Sequence, residues 1–167
     1  VDNCRNTQKI HNLVASFHPG QDQLRCPGPP GRSPEIHFYR ETGSQERLVR
    51  QILYQLVQEE HISNEDIVIL TPRSQTRTDF KDGTRLGNFT LVSIPPRRQN
   101  EIQVSSVHTF KGLERRVVIF TEIDQVASLS LDLVLYVGCS RARTHLILLV
   151  DENIESSVTR KLEQVVQ

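Results

Sequence analysis

The sequence predicts an α/β domain with a mostly parallel sheet covered by helices on both faces. Three observations carry that expectation. Helix-period and strand-like apolar segments alternate along the chain, the order that builds parallel sheets. Asp66-Ile67-Val68-Ile69-Leu70-Thr71 is a β-branched apolar run closed by Pro72, the pattern of a strand buried on both faces. The composition, 37% hydrophobic and 24% charged over 167 residues, is that of one globular domain able to bury a core without disulfide or metal staples.

The elements follow in order. Ile10, Leu13, Val14 and Phe17 fall at i, i+3, i+4 and i+7, which places them on one face of a first helix ended by Pro19-Gly20. Cys26–Pro34 is so rich in Pro and Gly that no regular element survives there. Ile36–Tyr39 reads as a short strand. Leu48, Val49, Ile52, Leu53, Leu56 and Val57 define a second helix capped by Ser44, with Glu46 in its first turn. After the Asp66–Thr71 strand, Lys81-Asp82-Gly83 and Leu86-Gly87-Asn88 are turn signals, and Pro95–Asn100 is irregular. Strands are expected at Ile102–Val107, Val117–Ile123 and Leu146–Val150, and helices near Leu131–Arg143 and Ile154–Val166. Residues 1–167 are treated as a single domain; with no Met and a start in mid-pattern, the chain reads as a piece of something longer.

Composition excludes several classes of function. No apolar run approaches the roughly 20 residues that span a bilayer, and no signal leader opens the chain. Twenty basic and 20 acidic residues cancel, which argues against coating nucleic acid by bulk attraction but leaves room for a local basic site. Cys4, Cys26 and Cys139 have no CxxC spacing, and His11, His18, His37 and His61 are scattered. Neither a disulfide framework nor a zinc site is implied.

Ligand sites in parallel sheets lie beyond the carboxyl ends of the strands, so polar segments that border strands are the candidates. Three stand out: Asn3-Cys4-Arg5-Asn6-Thr7 at the entrance to the first helix, Val107-His108-Thr109-Phe110-Lys111-Gly112-Leu113-Glu114 after a strand, and Tyr136-Val137-Gly138-Cys139-Ser140-Arg141-Ala142-Arg143 before the last strand. Each sets polar groups inside apolar sequence, where they need partners or a ligand.

In order and wording these segments resemble motifs IV, V and VI of the UvrD-like superfamily 1 helicases, in the second, C-terminal RecA-like domain of that family. The resemblance spans nearly the whole chain. It implies a RecA-like three-layer fold of the P-loop NTPase type that lacks its own Walker A sequence; indeed no Gly-x-x-x-x-Gly-Lys-Ser/Thr occurs. It implies an ATP-dependent DNA helicase whose ATP and Mg2+ are bound mainly by an N-terminal RecA-like domain of the same protein, so that the isolated chain is inactive. Arg141 and Arg5 would reach across the cleft to the γ-phosphate and act in catalysis, where an always-charged, multidentate guanidinium suits developing phosphoryl charge. Gly112 and Glu114 would contact the nucleotide. His108, Thr109 and Lys111 would face single-stranded DNA, with RNA as an alternative track. A role in DNA repair follows from the same resemblance; the odd count of unpatterned cysteines fits a reducing, cytoplasmic compartment, and the lack of a long apolar run implies no membrane association.

The match has departures. Cys4 stands where the family places a tyrosine that stacks on adenine, Ser140 replaces a threonine, and Arg5 and His108 are too close in sequence to enclose the family's large accessory domain. Taken singly, the residues keep plainer explanations: Arg5 or Arg141 paired with a carboxylate, Glu114 solvated at a helix start, His108 a loop histidine, Lys111 a solvated charge. The rival expectation is a non-catalytic nucleic-acid-binding or regulatory module with a helicase-like fold.

Overall fold

The computed structural model describes residues 6–17, 26, 28–124 and 131–166. Its elements are α1 (Gln8–Ser16), β1 (Glu35–Tyr39), α2 (Thr42–Tyr54), β2 (Ile67–Thr71), β3 (Arg85–Leu86), β4 (Phe89–Val92), β5 (Glu101–Ser106), β6 (Arg115–Ile123), α3 (Leu131–Cys139), β7 (Ala142–Asp151) and α4 (Glu155–Val166). The strands form one sheet in the order β1-β7-β6-β2-β5-β4-β3. Every neighbouring pair is parallel except the β3–β4 hairpin.

Period-two alternation in the central strands sends apolar side chains to two separate cores. Val68 and Leu70 of β2, with Val118 and Phe120 of β6, face α1, α3 and α4. Ile67, Ile69, Val117 and Ile119 face α2 and the hairpin. All five residues of β2 are buried, as its apolar run predicts. The result is a three-layer α/β sandwich. Among the described residues no helix is long and apolar enough to cross a membrane.

Four local expectations need correction. Helix α2 begins at Thr42, not after Ser44; Glu41 is its N-cap and Ser44 occupies the third helical position, its hydroxyl accepting from the Glu41 N–H at 3.3 Å. Past Tyr54 the helix widens into a π-helical turn over Gln55–Glu59, a feature that side-chain periodicity does not reveal. The turn signals around Gly83 and Gly87 belong to a two-strand hairpin; Gly87 takes φ +62° at its tip. Finally, α3 stops at Cys139 and β7 starts at Ala142 rather than Leu146. Arg143 and Thr144 are exposed at the strand's polar start, so the apolar pattern shows only the buried portion. Pro19 and Gly20 lie outside the described residues.

Candidate functional site

Strand order dictates the course of the segment that follows β5. Its next strand, β6, lies on the other side of β2 and runs parallel to it, so residues 107–114 must return across the face of β2. Two contacts fix that path. The Val107 N–H donates to Thr71 O at 2.9 Å, and Phe110, 1% exposed, anchors in the core beneath α1 and α3. A Ser/Thr turn shapes the start: Ser106 Oγ donates to Thr109 Oγ1 at 2.9 Å and accepts from the Thr109 N–H at 3.1 Å. Gly112 adopts φ +81° with open space about its α-carbon, a conformation that favours glycine. The Arg115 guanidinium closes the segment, 5.4 Å from the Phe110 ring centroid and 2.7 Å from Gln103 Oε1.

The Tyr136–Arg143 segment is held from three sides. Gly138 faces β6 so closely that a β-carbon there would lie 2.3 Å from the Phe120 ring. Past the helix end, Ser140 Oγ donates to Val137 O at 2.8 Å, the Arg141 N–H to Gly138 O at 3.2 Å, and the Arg115 N–H to Arg141 O at 3.0 Å. From the third side, buried Asn6 donates through Nδ2 to Ser140 O at 3.3 Å and to Ala142 O, and the Thr7 N–H donates to Arg143 O at 3.0 Å. Asn6 and Thr7 of the first segment therefore meet the other two segments around Arg141.

Between residues 107–111 and α3 lies a pocket of about 300 Å³ lined by Pro72, Val107, His108, Lys111, Leu133, Val134, Val137 and Arg141. Its apolar floor comes from α3, with Leu133 47% exposed. Its polar groups are two cations and an imidazole, with no carboxylate among them. Such a donor set suits phosphate oxygens and is wrong for a metal ion. Among the described residues no group of three or more His, Cys, Asp or Glu could hold a metal.

The sequence-predicted residues divide accordingly. His108, Lys111 and Arg141 line one pocket. Thr109, Gly112 and Glu114 do not: the Thr109 hydroxyl is engaged by Ser106, Gly112 forms a turn, and exposed Glu114 lies 3.9 Å from Arg143 Nε. Arg5 and Cys4 lie outside the described residues. The pocket also departs from a site strictly beyond the strand ends. Pro72 follows β2, but Arg141 precedes β7, so the pocket runs along the sheet face from carboxyl toward amino ends.

Sequence reasoning missed a buried cluster at the carboxyl end of β6. Glu122, 1% exposed, takes φ +56°, rare and strained for a side-chain-bearing residue. Its carboxylate accepts from Thr71 Oγ1, from Thr78 Oγ1 at 2.6 Å and from the Asp79 N–H at 2.9 Å, and lies 3.4 Å from Arg73. Gln45 Oε1 accepts the Glu122 N–H at 2.6 Å, and Asp124 also binds Arg73. The one signal was a glutamate inside the apolar run Val117–Ile123.

Comparison with known proteins points the same way. Residues 101–149 match the UvrD-like helicase C-terminal domain family, a span that runs from β5 almost to the end of β7 and holds the whole pocket except Pro72. The fold is that of the crystallised C-terminal domain of a possible DNA helicase from Lactobacillus plantarum WCFS1, with a TM-score of 0.71 and 20% identity over 98% of this chain and 96% of that one. No curated protein sequence matches the chain. The chain thus resembles a UvrD-like helicase C-terminal domain in both sequence and RecA-like fold.

Proposed function

We propose that this chain is the C-terminal motor domain of an ATP-dependent DNA helicase, working with an N-terminal RecA-like domain that carries the Walker A sequence. The observation that carries the reading is the convergence of Arg141, Lys111 and His108 on one pocket between residues 107–111 and α3. Arg115 and Gly138 bond the Arg141 main chain and Asn6 bonds the carbonyls on either side of it, so the guanidinium is presented from a fixed support. Such pre-positioning is what makes a charge effective when a phosphoryl group transfers.

In this reading Arg141 stabilises charge developing on the γ-phosphate of ATP bound across a shared cleft. Two cations and an imidazole suit no metal ion, so the other domain would hold Mg2+, which when bound would neutralise charge at the phosphates. Arg5, which directly precedes Asn6 in the sequence, would be the second arginine; Gly112 and Glu114 would border the nucleotide. His108 and Lys111 face single-stranded DNA, with Thr109 beside them, and the 107–114 segment connects that grip to Arg141 through the Arg115–Arg141 hydrogen bond. Alternate tightening and release of the strand with nucleotide state would move the protein along DNA.

The test is ATP hydrolysis by the full-length protein with and without single-stranded DNA. Lys111→Ala should raise the DNA concentration needed for half-maximal stimulation, leaving turnover at saturating DNA near that of the parent. A full-length protein that binds single strands but never hydrolyses ATP would replace this reading with that of a non-catalytic module.

A further inference from the structure

On the opposite face of the sheet, helix α2 and the β3–β4 hairpin enclose a groove of about 450 Å³, continued by a second hollow of about 190 Å³. Its walls belong to the core that contains Leu86 and Phe89, whereas the pocket at Arg141 opens on the core of Val107 and Val134. Along α2, Arg47, Arg50, Gln51, Tyr54 and Gln58 recur at spacings of three and four and so form one stripe. At 1.5 Å per residue the stripe is about 16 Å long. Arg85 faces it from the hairpin.

Among the described residues none of the three guanidinium groups has a hydrogen bond or ion pair, although Glu46 and Glu59 also border the groove. Tyr54 is 56% exposed, the most exposed large hydrophobic side chain among the described residues. Arg50 is steadied by the hairpin: a β-carbon on Gly87 would lie 3.1 Å from its side chain. The π-helical turn begins directly after Tyr54, and such turns concentrate at functional sites.

Unpaired guanidinium groups spaced along a groove suit successive phosphates, an exposed aromatic ring suits a base, and side-chain amides suit base edges. We propose that the α2–hairpin groove binds a second stretch of single-stranded nucleic acid, about three nucleotides long, with phosphates on Arg47, Arg50 and Arg85 and one base stacked on Tyr54. This site is separate from the pocket at Arg141 and does not depend on ATP hydrolysis.

The test uses the full chain and a fluorescent oligothymidylate of about 12 nucleotides carrying 5-bromodeoxyuridine. Irradiation should crosslink the oligonucleotide to Tyr54. The Arg50→Glu, Arg85→Glu double variant, altered only at exposed positions, should bind at least about tenfold more weakly. Its log affinity should fall less steeply with log salt by about 1.4, two contacts at ~0.7 each. Tyr54→Ala should lose about tenfold in affinity with the salt slope unchanged. Crosslinks confined to residues 107–113, an affinity indifferent to the charge reversal, or no binding at all would each overturn the proposal.

Discussion

Asn6 and Arg141 are joined through the main chain: the Asn6 amide donates to the carbonyls of Ser140 and Ala142, the residues on either side of Arg141. Asn6 is 6% exposed, so those carbonyls have little access to water once the amide is gone. Asn6→Ala should cost about 1–3 kcal/mol, the penalty for buried groups left without a partner, read as a lower urea midpoint. If the full-length protein is a helicase, the same variant should lower its ATP turnover at saturating DNA. Unchanged stability and turnover together would show that Asn6 is not the brace of Arg141.

Gly138 admits no side chain. Alanine ordinarily favours a helix interior over glycine by about 1 kcal/mol, but its β-carbon here would fall within 2.3 Å of the Phe120 ring. Overpacking of that kind costs about 1–3 kcal/mol, so Gly138→Ala should destabilise despite its propensity gain. Phe120→Leu in the same chain should recover part of the loss, because it removes the clashing ring atoms. The four thermal unfolding midpoints of this double-mutant cycle decide the matter; additive effects would contradict it.

Glu122 ties the loop after β2 to the end of β6. Its replacement by Ala leaves the buried Thr71 and Thr78 hydroxyls without their acceptor, while Arg73 keeps Asp124 and Asp79; a buried donor left unpaired costs about 1–3 kcal/mol. Glu122→Gln keeps the volume and some hydrogen bonds and should cost less. Denaturant titration of both variants orders them; a Glu122→Ala protein as stable as the parent would refute the bracing role.

A pH dependence is built into the start of β1 and β7. Glu35 there receives His145 Nε2 at 3.1 Å, His37 Nε2 at 3.3 Å and Arg32 at 2.9 Å, with Glu60 on the other side of Arg32. Burial and the Arg32 charge lower the His145 pKa, and Glu35 and Glu60 only partly offset them. Burial pushes the Glu35 carboxyl up, but its histidine and arginine partners outweigh that and hold it below the usual range. In both cases the unfolded chain binds more protons, so stability rises with pH. His145 removes stability as pH falls through its unfolded value near 6.5, and Glu35 as pH falls below about 4.5. Urea midpoints at pH 7.5 and 5.5 should differ more in the parent than in His145→Gln. An equal difference in both would contradict the assignment.

Much of the fold was legible because buried elements write themselves in apolar periodicity. The α1 face and the β2 run are examples, and the order of elements followed from them. The hairpin was not legible: β3 has two residues and its polar surroundings read only as turns. The early start of β7 hid behind Arg143 and Thr144, whose polarity belongs to a sheet end and not to a helix. At the site, Arg141, Lys111 and His108 could be named because the wording of their segments is distinctive. The pocket floor of Leu133, Val134 and Val137 could not, since in sequence these residues are indistinguishable from core. Nor could the distinction between His108, which lines the pocket, and its neighbour Thr109, whose hydroxyl the Ser106 turn captures; that depends on where one turn closes.

In the proposed function Arg141 acts on ATP across a shared cleft. Its most direct test is DNA-stimulated ATP hydrolysis by the full-length protein and its Arg141→Ala variant, with unfolding midpoints and ATP binding measured alongside. DNA should stimulate turnover in the parent, and the variant should lose turnover on the order of a thousandfold, with fold and ATP binding retained. Turnover unchanged by Arg141→Ala would contradict it.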